Sequence, residues 1–164
     1  MHKKHKINIT KNKIVYVLYC FMNNEEVTNK AIDFNRKNKK RIAQEIVDQD
    51  KYISEDKPVS VFMAGSPGAG KTESSKRLLE DKKFLKKKYS VLRIDPDELR
   101  DYFSQVGYTG GNSSYFNGAV SILVDVIHDK ILKKGKSFVL DGTFSKVEIA
   151  RKNVERSLRR GRFV

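Results

Sequence analysis

Eight consecutive residues, Gly65-Ser66-Pro67-Gly68-Ala69-Gly70-Lys71-Thr72, carry the spacing G-x-x-x-x-G-K-[ST]. Glycines at those places let the backbone curl until successive N–H groups point at phosphate oxygens, and a helix beginning there adds its positive end. Lys71 offers a mobile ammonium to the β- and γ-phosphates, and the Thr72 hydroxyl offers a ligand to Mg²⁺. A chance match in a chain of 164 residues is on the order of one per cent. The octapeptide is therefore read as the phosphate loop of an ATP site, with Gly65 to Thr72 as its contacts.

Phosphoryl transfer needs few further parts: a metal, and a carboxylate that takes the proton of the acceptor hydroxyl. Asp95 and Asp97 stand just after one apolar run, SVLRI at 90–94, and Asp141 stands just after another, SFVL at 137–140. Alone, Asp95 would be a helix cap, with Asp97 and Glu98 as favourable first-turn charges. Beside a phosphate loop, Asp97 is placed as the base and Lys71 as its catalytic companion. Asp141, in Asp141-Gly142-Thr143, is placed with Thr72 in the metal shell. The Gly-rich stretch 107–114 brings Tyr108, Asn112 and Ser113, with Tyr115 after it, as stacking and hydrogen-bonding groups suited to a sugar or a base. Turn chemistry alone also accounts for its glycines, so both readings stand there.

Elements must hold these residues at one edge. VSVFMA at 59–64 is nearly all apolar, as in a strand covered on both faces. A helix is expected over 71–81, with Leu78 and Leu79 inward. Strand 90–94 leads through Asp95-Pro96-Asp97-Glu98 into a helix start. A further helix carries Ala119, Ile122, Leu123, Val126, Ile127 and Ile131 at near-helical spacing and closes at Lys134-Gly135. Strand 137–140 precedes a helix over 145–160 with Val147, Ala150, Val154 and Leu158 inward. Residues 162–164 read as a strand just beginning. Alternating strands and helices imply a parallel sheet with right-handed crossovers, whose ligands bind outside the carboxyl ends of the strands. Every candidate residue above sits there.

Before this unit, 1–12 are rich in Lys, His and Asn and are expected to fray. Residues 14–21 (IVYVLYCF) read as a short strand, with a buried helix end as the alternative. A helix is expected from about 27 to 50, its basic middle solvated, and 52–58 as a linker. The class is α/β, a P-loop NTPase-type three-layer fold with a parallel sheet. Residues 1–57 form a basic extension whose helix packs on the core, and residues 58–164 form a partial kinase domain.

Composition sets the frame. The formal charge is +14, with 34 Lys and Arg against 20 Asp and Glu. It is spread over both parts of the chain and would attract anions, nucleic acid included. No apolar stretch approaches the roughly 18 residues of a membrane span. The lone cysteine, Cys20, excludes an internal disulfide and sits in an apolar run as a buried thiol. His128 is read as a packed or half-exposed histidine rather than a catalytic one, and His2 and His5 show no metal spacing. A cytoplasmic, membrane-free protein is expected.

The motifs together, GSPGAGKT, IDPDELR, GYTGGNS and LDGTFS, resemble the zeta toxin family of small P-loop kinases. The resemblance covers roughly 59–164, and the helix over 31–47 looks like one that precedes the P-loop in some members. It implies an ATP- and Mg²⁺-dependent kinase that phosphorylates the sugar 3′-hydroxyl of UDP-N-acetylglucosamine, and an epsilon-type antitoxin as partner. Lys71 and Thr72 match the ATP/Mg²⁺ pair and Asp97 the catalytic aspartate. Arg100 matches a substrate contact. Asp141-Gly142-Thr143 stands where many members have Glu-Gly-Thr. Members continue past the point matching Val164 through another strand and an arginine-bearing lid, so a fragment or a truncated member with an incomplete sheet is expected. Arg151, Arg156, Arg159, Arg160 and Arg162 are expected to form a solvated basic face. Two other functions remain open: a polynucleotide 5′-hydroxyl kinase, which shares the loop and a strand-end Asp, and a nucleotide-binding module without turnover.

Overall fold

Pro58 is the first proline of the chain and Gly65 the first glycine, so nothing in the first 57 residues interrupts a helix. In the computed structural model, which describes residues 5–65, 70, 73, 74, 77, 91–142 and 147–164 and the side chains of these except 5–23, α1 accordingly runs unbroken over His5–Val47. The strand expected over 14–21 is not formed, and 5–12, expected to fray, are helical as well. Strand preference spans only about 1 kcal/mol. Extending an existing helix adds a hydrogen bond for each residue fixed, so the helix wins where no breaker intervenes. The Cys20 side chain lies outside the described residues.

The second half of α1 is a wall of the core. Ala31, Ile42, Ala43 and Val47 are buried in one cluster with residues of the sheet and of a later helix. Lys136 Nζ donates to the Val47 carbonyl oxygen at 2.6 Å, satisfying one of the carbonyls a helix end leaves open. Asp48 pairs with Lys130 at 2.9 Å. The segment after α1 is pinned too: Ser54 Oγ donates to the Lys134 carbonyl at 2.7 Å and the Glu55 amide to the Gly135 carbonyl at 2.9 Å.

Among the described residues three parallel strands form the sheet: β1 (Ser60–Met63), β2 (Leu92–Ile94) and β3 (Phe138–Asp141), in the order β1-β3-β2. β3 is central, and all four of its residues are buried. Phe163 forms a parallel bridge with Val59 on the other flank of β1, where the sequence suggested a beginning strand. Between β2 and β3 lie a short helix α2 (Pro96–Leu99), a 3₁₀ helix over Arg100–Val106, another over Ser113–Phe116, and α3 (Asn117–Lys133). α3 buries Ala119, Leu123, Ile127, His128 and Ile131, whereas Ile122, expected on the same face, is exposed. Phe103, Phe116 and Phe138 are wholly buried, each contributing about 1.5–3 kcal/mol of transfer free energy.

The last helix, α4 (Val147–Leu158), differs from expectation in rotation. Asn153 and Ser157 are its buried residues, while Val147 and Leu158 are exposed. Arg156 on that inner stripe pairs with Asp125 at 3.0 Å and Asp129 at 2.5 Å, both on α3. These ion pairs link that stripe to α3. The helix expected over 71–81 falls mostly outside the described residues, Leu78 and Leu79 included.

Candidate active site

Register brings the predicted acids to one edge. Met63 of β1 is level with Asp141, and Ile94 of β2 with Leu140. Asp95, the next residue, thus lies beside Asp141 at the carboxyl ends of adjacent strands, and Gly65 lies two residues beyond Met63. Of the phosphate loop, Gly65 and Gly70 are described; Ser66, Pro67, Gly68, Ala69, Lys71 and Thr72 lie outside the described residues, as does Thr143. Gly70 takes φ +71°, a left-handed conformation that glycine adopts without strain. Its carbonyl accepts the Ser74 amide at 2.9 Å, and Glu73 and Ser74 are helical.

Asp95 and Asp141 are both buried, and two such carboxylates side by side require a counter-charge. Arg93 supplies it. This residue was not singled out in the sequence, although an arginine inside the apolar run SVLRI was the available signal. Its Nη2 donates to Asp141 Oδ2 at 2.8 Å and also to Asp95 Oδ2, and its Nη1 donates to Glu98 Oε1 at 2.6 Å. Burial alone would lower the guanidinium pKa. Hydrogen bonds to Asp141 and Glu98, with the charges of Asp95 and Glu98, outweigh burial and raise it.

Asp95 caps α2 as expected: its backbone is extended and its Oδ1 accepts the Asp97 amide at 2.8 Å, with Pro96 in the first turn. Asp97 projects from that turn with its side chain 80% exposed. Arg100, three residues on, forms an ion pair with Asp97 Oδ1 and reaches Asn117 Oδ1 at 3.1 Å with Nη2. The following loop turns at Gly107, which ends the first 3₁₀ helix at φ +98°. Asn112 is spent inside this loop: its Oδ1 accepts the Thr109 amide at 3.0 Å and its Nδ2 donates to the Gly107 carbonyl at 2.8 Å. Tyr108 stands edge-on to Phe116, 5.4 Å between centroids. α1 reaches the same region, where Glu45 Oε1 accepts the Tyr102 hydroxyl at 3.2 Å.

The arginines of the C-terminal part do not form one solvated face. Arg151, Arg159 and Arg160 are exposed, but Arg156 is held by α3 and Arg162 is buried. Arg162 Nε donates to Ser60 Oγ at 2.7 Å, and its Nη2 to the Lys136 carbonyl at 2.5 Å and the Val59 carbonyl at 3.3 Å. Burial pulls its pKa down to about 10. It is a structural tie between the chain's last residues and the starts of β1 and β3. His128, read from the sequence as packed or half-exposed, is wholly buried.

A family model described as zeta toxin matches residues 43–164. The chain belongs to the zeta toxin family. A solved structure from the PezAT chromosomal toxin-antitoxin system of Streptococcus pneumoniae is similar with a TM-score of 0.63 at 18% identity, over 79% of this chain and 53% of that one. This zeta-family chain therefore spans about half the length of that neighbour, and the likeness establishes a shared fold. No curated protein matches the sequence. Among the described residues no helix is long and apolar enough to cross a membrane.

Proposed function

We propose that this zeta-family chain carries the nucleotide-binding and acceptor-activating parts of an ATP-dependent kinase that phosphorylates the sugar 3′-hydroxyl of UDP-N-acetylglucosamine. The observation that supports this most is the grouping at one sheet edge. Asp97 projects from the turn after β2, its amide held by Asp95, which lies beside the strand end at Asp141 that is level with Met63, two residues before the phosphate loop; Arg100 pairs with Asp97. In this reading the 65–72 backbone and Lys71 cradle the phosphates of ATP. Asp97 accepts the proton of the acceptor hydroxyl, and Arg100 neutralises charge near it. The loop bearing Tyr108, and held in shape by Asn112, borders the acceptor.

The residues suit Mg²⁺. That ion uses one or two carboxylates beside substrate phosphates and waters rather than an all-protein cage. Asp141 is a buried acid at the strand end next to the loop, and its Oδ2 also accepts from Arg93. Thr72 and Asp141 would hold the ion, which supplies charge neutralisation on the phosphates when bound. An antitoxin protein is proposed as partner, in keeping with the toxin-antitoxin system of the structural neighbour.

Incubation with ATP, Mg²⁺ and UDP-N-acetylglucosamine, followed by mass spectrometry, tests the reading. ADP and a phosphorylated sugar nucleotide are expected; ATP binding without either product would leave a nucleotide-binding module. The charge of +14 favours one competitor, a polynucleotide 5′-hydroxyl kinase. Phosphorylation of an oligonucleotide, lost steeply with added salt, would establish that alternative.

A further inference from the structure

We propose that Arg93 is a positioning residue that fixes the spacing between the acid at the end of β3 and the turn bearing Asp97; the inference rests on the kinase reading above. One guanidinium spans three acids, and each acid has a second task. Asp141 ends β3 beside the strand that leads into the phosphate loop. Asp95 uses its other oxygen, Oδ1, to hold the Asp97 amide at 2.8 Å. Glu98 lies in the first turn of α2, next to Asp97. The Arg93 side chain is 11% exposed, and those of Asp95 and Asp141 are 9% and 4% exposed. Bulk water therefore competes little for these contacts, and charge-assisted hydrogen bonds are strong there. The route from β3 to the proposed base is thus Asp141, Arg93, Asp95 and the Asp97 amide, without a gap.

Geometry of this kind requires arginine. A planar fork with five donors can engage three carboxylates at once, whereas a lysine ammonium on the same strand keeps the charge but presents a single point. Loss of the fork would leave the elements folded and α2 less firmly held, and displacement of a reacting group by about 1 Å costs on the order of 100-fold in rate.

The test compares wild type with Arg93→Lys, and with Glu98→Gln, which takes the negative charge off one arm of the clamp at a side chain that is 64% exposed. In Arg93→Lys we expect kcat for sugar-nucleotide phosphorylation to fall about 100-fold. The acceptor KM should stay within about threefold, because the acceptor is not held by Arg93 itself. Hydrogen exchange of the Asp97 amide should quicken about tenfold, the loss of one hydrogen bond. Glu98→Gln should lower kcat roughly tenfold with an unchanged melting temperature. A folded Arg93→Lys protein with wild-type kcat, or with unaltered exchange at Asp97, overturns the proposal. If Arg93→Lys does not fold, wild-type kcat in Glu98→Gln overturns it. Exchange is read without turnover, so a wild-type protein that phosphorylates no acceptor refutes the kinase reading while the Asp97 amide still decides the role of Arg93.

Discussion

His128 should make this protein acid-sensitive over a defined window. Its ring is wholly buried, edge-on to Phe138 at 5.0 Å and Phe62 at 6.0 Å between centroids, and neither ring nitrogen has a hydrogen-bond partner among the described residues. Burial, aided by the positive charges of Arg156 and Arg162 and opposed by Asp129 and Asp125, lowers its pKa to about 4. The unfolded chain holds the imidazole near its ordinary value of about 6.5. The folded state therefore prefers the neutral ring, and stability from this site is complete above about pH 6.5. It is lost as pH falls from there to about 4, where the folded state begins to take the proton too. A difference of about 2.5 units corresponds to roughly 3 kcal/mol. Urea denaturation of wild type and His128→Leu from pH 7.5 to 4 isolates the effect, since the substitution removes the titrating group and leaves the surrounding acids in place. The difference in unfolding free energy should be steady above pH 6.5 and should shift towards the variant by roughly 3 kcal/mol at pH 4. Parallel curves across that range would refute the argument, because they would mean that the folded protein binds a proton at His128 as easily as the unfolded chain does.

Three further outcomes follow from the site and the core. Lys71→Ala should weaken ATP binding by about 2–3 kcal/mol in calorimetry, the scale of a charged hydrogen bond; unchanged affinity would remove the phosphate-loop assignment. Asp97→Asn keeps size and hydrogen-bonding reach but cannot take a proton, so turnover should fall on the order of 10²–10⁴-fold with ATP affinity retained, and full activity would return Asp97 to a helix-start charge. Arg162→Met removes the donor to Ser60 Oγ and to two backbone carbonyls, and should lower the unfolding free energy by about 2–4 kcal/mol. A denaturation midpoint equal to wild type would show that these groups find other partners.

The chemistry was legible wherever it depends on short-range pattern. The three strands, the cap at Asp95 with Pro96 behind it, the turn at Gly107 and the burial of Ala119, Leu123, Ile127 and Ile131 all follow from spacing that the local backbone imposes. The phosphate-loop motif is likewise a statement about successive residues, and with the other motifs it was sufficient to indicate the zeta toxin family. Propensity failed at 14–21, where β-branched and aromatic residues are part of α1 because no proline or glycine interrupts the chain there.

What tertiary structure alone decided is which charges meet. Arg93, Asp95 and Asp141 come together through strand order β1-β3-β2, which sets β2 beside β3 although 43 residues lie between Ile94 and Phe138. α4 turns Asn153 and Ser157 inward and Val147 outward, and its Arg156 meets Asp125 and Asp129 on a neighbouring helix, a pairing no single-helix pattern contains. Arg162, one of five arginines alike in sequence, is buried because open backbone carbonyls and Ser60 Oγ lie within its reach. Periodicity fixes the faces of each element taken singly; the partner of a buried charge depends on the other elements, and only packing brings them within hydrogen-bond distance.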